Sequence, residues 1–235
     1  MLIKKILSAV IAILYITNSF AQETVEKKNR INEDVTEIFH VLKGNEQLKD
    51  GLYQAFYKRK TAIVSGNYTK GKKTGVWYFY NTKGNVLQVY DYTTDSLKYE
   101  AREYNNSSLR YKIDKVINDT DKITKPIKAG GRYYGYLPYL GLYKTSFSPY
   151  QYNTYGSAAE IELLISPLGR LADYKVRMVS PWLDYDQTIE MDLNLFSEED
   201  KKFIPATFNG QPILSRIIVT CQVTPSGGLD FIRPE

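Results

Sequence analysis

The chain has 235 residues, 43% hydrophobic and 24% charged, which fits neither a disordered polymer nor a bundle of membrane spans. Its 21 Tyr, 15 Gly and 9 Pro favour strands and turns over helices. One His and one Cys exclude a His-rich metal cage, a Cys zinc ribbon and a disulfide framework within one chain.

Residues 1–21 carry Lys4 and Lys5, an apolar run over 6–16, and small Ser19 and Ala21 ahead of Gln22. That is the order of a cleavable secretory signal peptide. The apolar run is shorter than the ~20 residues a spanning helix needs, which weighs against a membrane anchor. The expectation is an exported protein, periplasmic or associated with an outer membrane. Without Lys4 and Lys5 the net charge falls from +5 to +3. No basic stripe or charge block stands out, so nucleic acid is not an expected partner.

Ile31, Val35, Ile38 and Leu42 have helical spacing. A short helix over 25–34 is predicted, then a strand over 37–42. His40 falls in that strand with no nucleophile motif beside it, so it has no expected catalytic role.

Shifted by 24 residues, the first half matches itself. Lys49 falls on Lys73, Gly51 on Gly75, Leu52 on Val76, Tyr53 on Trp77, Phe56 on Tyr80, Ile63 on Leu87 and Tyr68 on Tyr92. Each unit is a Gly, an alternating aromatic run, a Gly-containing turn and a second alternating run, which predicts stacked hairpins. One hairpin is marginal alone; stacked hairpins cover their aromatics across strands. A third unit over 99–113 keeps Tyr99, Tyr104 and Tyr111 but loses the glycines, as a cap does. Tyr53, Trp77, Tyr78 and Tyr80 are either this ladder or a binding face. The segment GNYTKGKKTGVWYFYNTKGNVLQVYDY (residues 66–92), and more loosely 44–65, resembles the MORN-type repeat of exported bacterial proteins. The resemblance implies a scaffolding or interaction surface over 22–113 rather than a catalytic centre.

Residues 114–155 are first polar, then rich in Tyr and Gly. Pro138, Pro149 and several glycines break regular structure there. The segment is expected to be a connector lying on the sheet. Its alternative is an aromatic platform for a sugar or peptide, formed by Tyr133, Tyr134, Tyr136 and Tyr139.

Residues 156–235 read as strand (158–165), turn (Ser166-Pro167-Leu168-Gly169), strand (171–179), a polar mixed segment (184–195), a helix opening at Ser197, and a long strand (213–223). Ser197 with Glu198, Glu199 and Asp200 has the composition of a capped helix start, and Pro205 ends it. Cys221 lies in the last strand as a small buried residue. The order strand–strand–helix–strand, with LISPLGRLADYKV and Pro205, Ala206, Asn209, Gly210 and Pro212 in FIPATFNGQPILSRIIVTCQV, resembles the TonB C-terminal domain. That resemblance implies a last strand whose edge, Ser215, Arg216, Ile217, Ile218, Val219 and Thr220, accepts an extended peptide. The edge is either open or covered by the Tyr-rich segment or a second copy.

The expected fold class is α+β, mostly β: an elongated antiparallel β-meander of repeated hairpins plus a small β-β-α-β module. No G-x-S-x-G, G-K-S/T or G-x-G-x-x-G motif occurs. Glu160, Glu162, Asp173, Asp184 and Asp186 offer carboxylate pairs without motif spacing. The sequence therefore predicts a non-enzymatic envelope protein without metal or cofactor, partnered by an envelope protein or extended peptide. An accessory energy transducer acting on an outer-membrane receptor and a carbohydrate-binding protein are the alternatives.

Overall fold

The computed structural model describes residues 23–103, 107–145 and 157–232. The leader and Tyr104, Pro149, Tyr150, Tyr152 and Tyr155 lie outside the described residues. The fold is mostly β, in antiparallel sheets.

Seven strands form the first sheet, each beside its chain neighbour: β1 (Thr24–Arg30), β2 (Val35–Leu42), β3 (Asn45–Tyr57), β4 (Thr61–Thr69), β5 (Lys72–Tyr80), β6 (Val86–Asp91) and β7 (Ser96–Glu100). The helix expected over 25–34 is instead β1, paired along its length with β2. The helical spacing of Ile31 and Val35 arises across a turn. Ile31 N donates to Val35 O, and Asn32 Oδ1 accepts from the amides of Asp34 and Val35. An Asx side chain satisfying these amides stabilises a hairpin turn in place of a helix.

The 24-residue repeat is visible in the packing. Tyr53, Trp77 and Ile63 are fully buried, and Leu87 is buried as well. Gly51 and Gly75 both adopt positive φ, 103° and 65°. Tyr68 and Tyr92 stand edge-on to Trp77, at 5.2 and 5.5 Å.

Beyond β7 the expected capping unit divides. Its second half, β8 (Leu109–Ile113), leaves the first sheet and joins the second. After a two-residue strand β9 (Ile123–Thr124), the Tyr-rich segment folds into a 3-10 turn, Tyr134–Tyr136, and a short helix α1 (Leu137–Leu142). The second sheet then forms from β10 (Ala158–Ile165), β11 (Leu171–Ser180), β12 (Tyr185–Glu190), β15 (Ser215–Val223) and β16 (Leu229–Phe231). Its order is β12-β11-β10-β15-β16, with β8 also on β15. Between β12 and β15, β13 (Ala206–Phe208) and β14 (Gln211–Ile213) make a hairpin about Asn209-Gly210 that pairs with β9. Both turn residues have positive φ, as a tight hairpin of this kind requires.

The helix expected from Ser197 is a single turn. Ser197 Oγ caps the Asp200 amide at 3.1 Å, as the composition suggested. Phe203 N then donates to Gly169 O, and Ile204 N to Ile127 O. Those amides are committed to neighbouring segments, so a second helical turn has no donors to use.

Candidate functional site

The expected peptide-accepting edge is already occupied. Ile165 to Ala159 of β10 pair with Ser215 to Cys221 on one side. On the other side β8 pairs with Ser215, Arg216, Ile217, Ile218 and Val219, and Thr220 N donates to Ser108 O. β16 continues the same side from Cys221. Neither the Tyr-rich segment nor a second copy covers the edge; a strand borrowed from the first half does. With both rows of backbone groups paired, this strand cannot add a peptide.

The expected aromatic platform is also corrected. Tyr133, Tyr136 and Tyr139 are buried, and Tyr134 is half-buried and packed on the core. The rings form a layer between the two sheets. Tyr134 stacks on Phe79 and stands edge-on to Tyr53, whereas Tyr133 and Tyr136 meet Phe231. Tyr139 packs on Tyr174, Phe196 and Phe203. Two hydroxyls are spent internally: Tyr134 on Tyr53 (2.5 Å), and Tyr139 on the carbonyl of Asp200. Burial pushes the phenols of all four above their ordinary range. A sugar has no face to stack on here.

A grip on this segment comes from the first sheet. Gln88 is buried and uses its whole amide: Oε1 accepts from Gly130 N and Gly131 N, and Nε2 donates to Glu100 and Lys128 O. Gly131 lies so close to Phe79 that a Cβ would sit 2.9 Å from its ring-bearing carbon. Arg132 donates to Glu100 and the Ala101 carbonyl, both at 2.8 Å. A small cavity beside it, with room for about one water, is lined by Glu100, Tyr111, Lys125, Lys128 and Arg132 among others.

The repeat also places two cations on aromatic faces. Lys49 Nζ lies 4.2 Å from the Phe39 ring centre and 4.9 Å from that of Tyr53. Its repeat equivalent Lys73 lies 5.0 Å from Trp77 and from Tyr92. Each has one acid, Glu37 for Lys49 and Glu199 for Lys73. Burial pulls the Lys73 ammonium down, but Tyr92 and Glu199 outweigh it and hold it above its ordinary value. Burial likewise raises Glu37, but Asn29, Tyr53 and Lys49 more than compensate and leave it lowered. These groups are satisfied by one another and stabilise the ladder.

Of the carboxylates singled out in the sequence, Glu160, Glu162 and Asp186 are ion-paired across strands and Asp173 within its own. Glu160 pairs with Arg110, and Glu162 with Arg216. Lys175 bridges Asp173 and Glu190, and Arg177 holds Asp186. Asp184 is the left-handed residue that ends the 3-10 turn Pro181–Leu183. Cys221 is buried, and burial pushes its thiol up, away from the reactive thiolate. His40 Nδ1 lies 3.1 Å from the Leu52 carbonyl. Among the described residues no group of three or more His, Cys, Asp or Glu could hold a metal ion. No described helix is long and apolar enough to cross a membrane.

Other edges remain, β1 and β7 in the first sheet and β12 in the second. β12 ends the order of the second sheet, with no strand beyond it among the described residues. Residues 186–188 and 190 are exposed, and Trp182, in the 3-10 turn leading into β12, is 80% exposed. The segment 184–195 reads as merely polar because acids stand at Asp186 and Glu190. The signal that could have found it is the alternation of Tyr185, Gln187 and Ile189 with Asp186, Thr188 and Glu190.

Compared with family models, curated proteins and solved structures, the chain matches none.

Proposed function

We propose that this chain is a non-enzymatic, exported binding or scaffold protein of the bacterial envelope that engages a protein partner by strand-edge pairing, and that the edge is β12. The open side of β12 carries this reading: an edge strand presents a row of backbone donors and acceptors that an extended chain can complete. Trp182 beside it supports the assignment, because exposed Trp is enriched among residues that anchor interfaces. The signal-like leader supports export, and the resemblances to MORN-type repeats and to the TonB C-terminal domain support an interaction role.

Backbone groups of successive strand residues point to opposite sides. Of Gln187→Pro and Thr188→Pro, one therefore removes an outward amide and the other a rung to β11. A photo-crosslinking residue at Trp182 should capture one discrete envelope protein. The proline facing outward should abolish capture while far-ultraviolet circular dichroism and Tm stay near wild type. Capture indifferent to both prolines refutes the edge. N-terminal sequencing of the mature protein tests export, with Gln22 as the expected first residue.

A further inference from the structure

The outer face of the second sheet alternates in charge from strand to strand. On β12 that face carries Asp186 and Glu190; on β11, Lys175 and Arg177; on β10, Glu160 and Glu162; on β15 and β8, Arg216, Arg110 and Lys112. There are two departures: Asp173 of β11 pairs with Lys175 on its own strand, and β15 and β8 are neighbours of one sign, with Lys112 opposite Arg216. The alternation is realised as contacts: Glu190 to Lys175, Asp186 to Arg177, Glu160 to Arg110 and Glu162 to Arg216. β11 and β10 meet opposite charge on both sides, whereas β12 meets it on one side only. There the sequence of signs stops on two exposed acids, whose cations lie only on the inner side.

The opposite face of β12 differs. Tyr185, Gln187 and Ile189 lie on the face that elsewhere carries Tyr174, Val176 and Met178 of β11 and Ile161, Leu163 and Ile165 of β10. An added strand would face Ile189 on that side and the two acids on the other. Opposite residues across an antiparallel pair lie about 5 Å apart, within reach of an ion pair. Asp186 and Glu190 are four residues apart, and a partner strand keeps that spacing.

Resting on the strand-edge reading above, we infer that the occupant of β12 is an extended segment of another protein with basic residues at positions i and i+4 and apolar residues at i+1 and i+3. The basic residues continue the sign alternation against Glu190 and Asp186, and the apolar ones extend the core-side row past Ile189. Like charges opposite these acids are disfavoured, so the edge selects by repulsion as well as attraction.

Two labelled peptides test this with the full mature chain at low ionic strength: Arg-Val-Thr-Val-Arg and Glu-Val-Thr-Val-Glu, each flanked by glycines. The basic peptide should bind at least about tenfold more tightly, a preference of ~1.4 kcal/mol. Asp186→Asn with Glu190→Gln should erase that preference and leave the fold intact, because both side chains are exposed. Equal binding of the two peptides overturns the charge rule and leaves the strand-edge reading standing. No binding of either peptide, together with capture indifferent to the β12 prolines, overturns both. Sedimentation showing dimers that protect the β12 amides from exchange assigns the edge to a second copy and overturns the inference.

Discussion

Replacing Gly66 with alanine isolates how tightly the repeat's aromatic ladder is packed. Gly66 has no positive φ, so its backbone accepts any residue, and the cost is steric. A Cβ there would lie 2.1 Å from Trp77 Cδ2 and 2.3 Å from Cε2. Carbon atoms in contact prefer about 3.5–4.0 Å, so the indole must retreat by well over ~1 Å. It has little room. Trp77 is fully buried, its Nε1 lies 3.2 Å from the carbonyls of Asn67 and Thr74, and Tyr53, Tyr68, Phe79 and Tyr92 surround it. Overpacking of this kind costs ~1–3 kcal/mol, and a lost indole hydrogen bond adds about 1. Reduced freedom of the unfolded chain returns ~0.4–1. The expected net loss is ~2–3 kcal/mol, or a Tm lower by roughly 4–12 °C in a chain of this size. Urea unfolding followed by circular dichroism measures it. Trp77→Leu removes the obstacle, so Gly66→Ala in that background should cost about 1 kcal/mol or less. Gly75→Ala, with open space but φ of 65°, should cost ~1–2 kcal/mol with or without Trp77. A neutral Gly66→Ala, or one additive with Trp77→Leu, refutes the close approach of backbone to indole.

Three further outcomes are expected. Gln88→Leu strands the Gly130 and Gly131 amides and the Lys128 carbonyl in the core, and should lower stability by ~2–4 kcal/mol, measured by denaturant unfolding. Tyr134→Phe removes a hydroxyl shared with Tyr53 but leaves Tyr53 its bond to Glu37, so the loss should stay near ~1 kcal/mol; a loss above ~3 contradicts that division. Burial lowers the Lys128 ammonium to about 7, although its Nζ donates to three carbonyls at Glu199, Asp200 and Lys202. The folded chain then sheds this proton before the unfolded one does. Relative to Lys128→Met, wild type should gain stability from pH 7 towards 10.5 and lose it as pH falls through 7, with a slope of at most ~1.4 kcal/mol per unit. A flat difference shows that the carbonyls keep the amine charged.

Where period and turn chemistry agree, the sequence sufficed. The offset pairs Gly51 with Gly75 and Tyr53 with Trp77, and those pairs share conformation and burial. The strand predicted over 158–165 is β10, and that over 171–179 falls within β11. Locally ambiguous stretches misled. Ile31 and Val35 across the β1–β2 turn mimic a helical repeat, and the cap at Ser197 forms although only a single turn follows it. The site depended on long-range pairing. Nothing local in Leu109–Ile113 shows that it leaves the hairpin stack for Ser215–Val219, so the edge that the TonB-like pattern pointed to is closed. The tyrosines of 133–139 carry no sign of which sheets they face, and only the packing shows that both claim them.

The crossing of β8 ties the order of assembly to the length of the chain. Leu109 meets Val219 only after on the order of 100 residues of intervening chain have emerged, so this pairing closes late and folding is correspondingly slow. A fragment ending before Ser215 leaves β8 without its neighbour, and a fragment beginning at residue 156 lacks the strand that shields its own last ribbon.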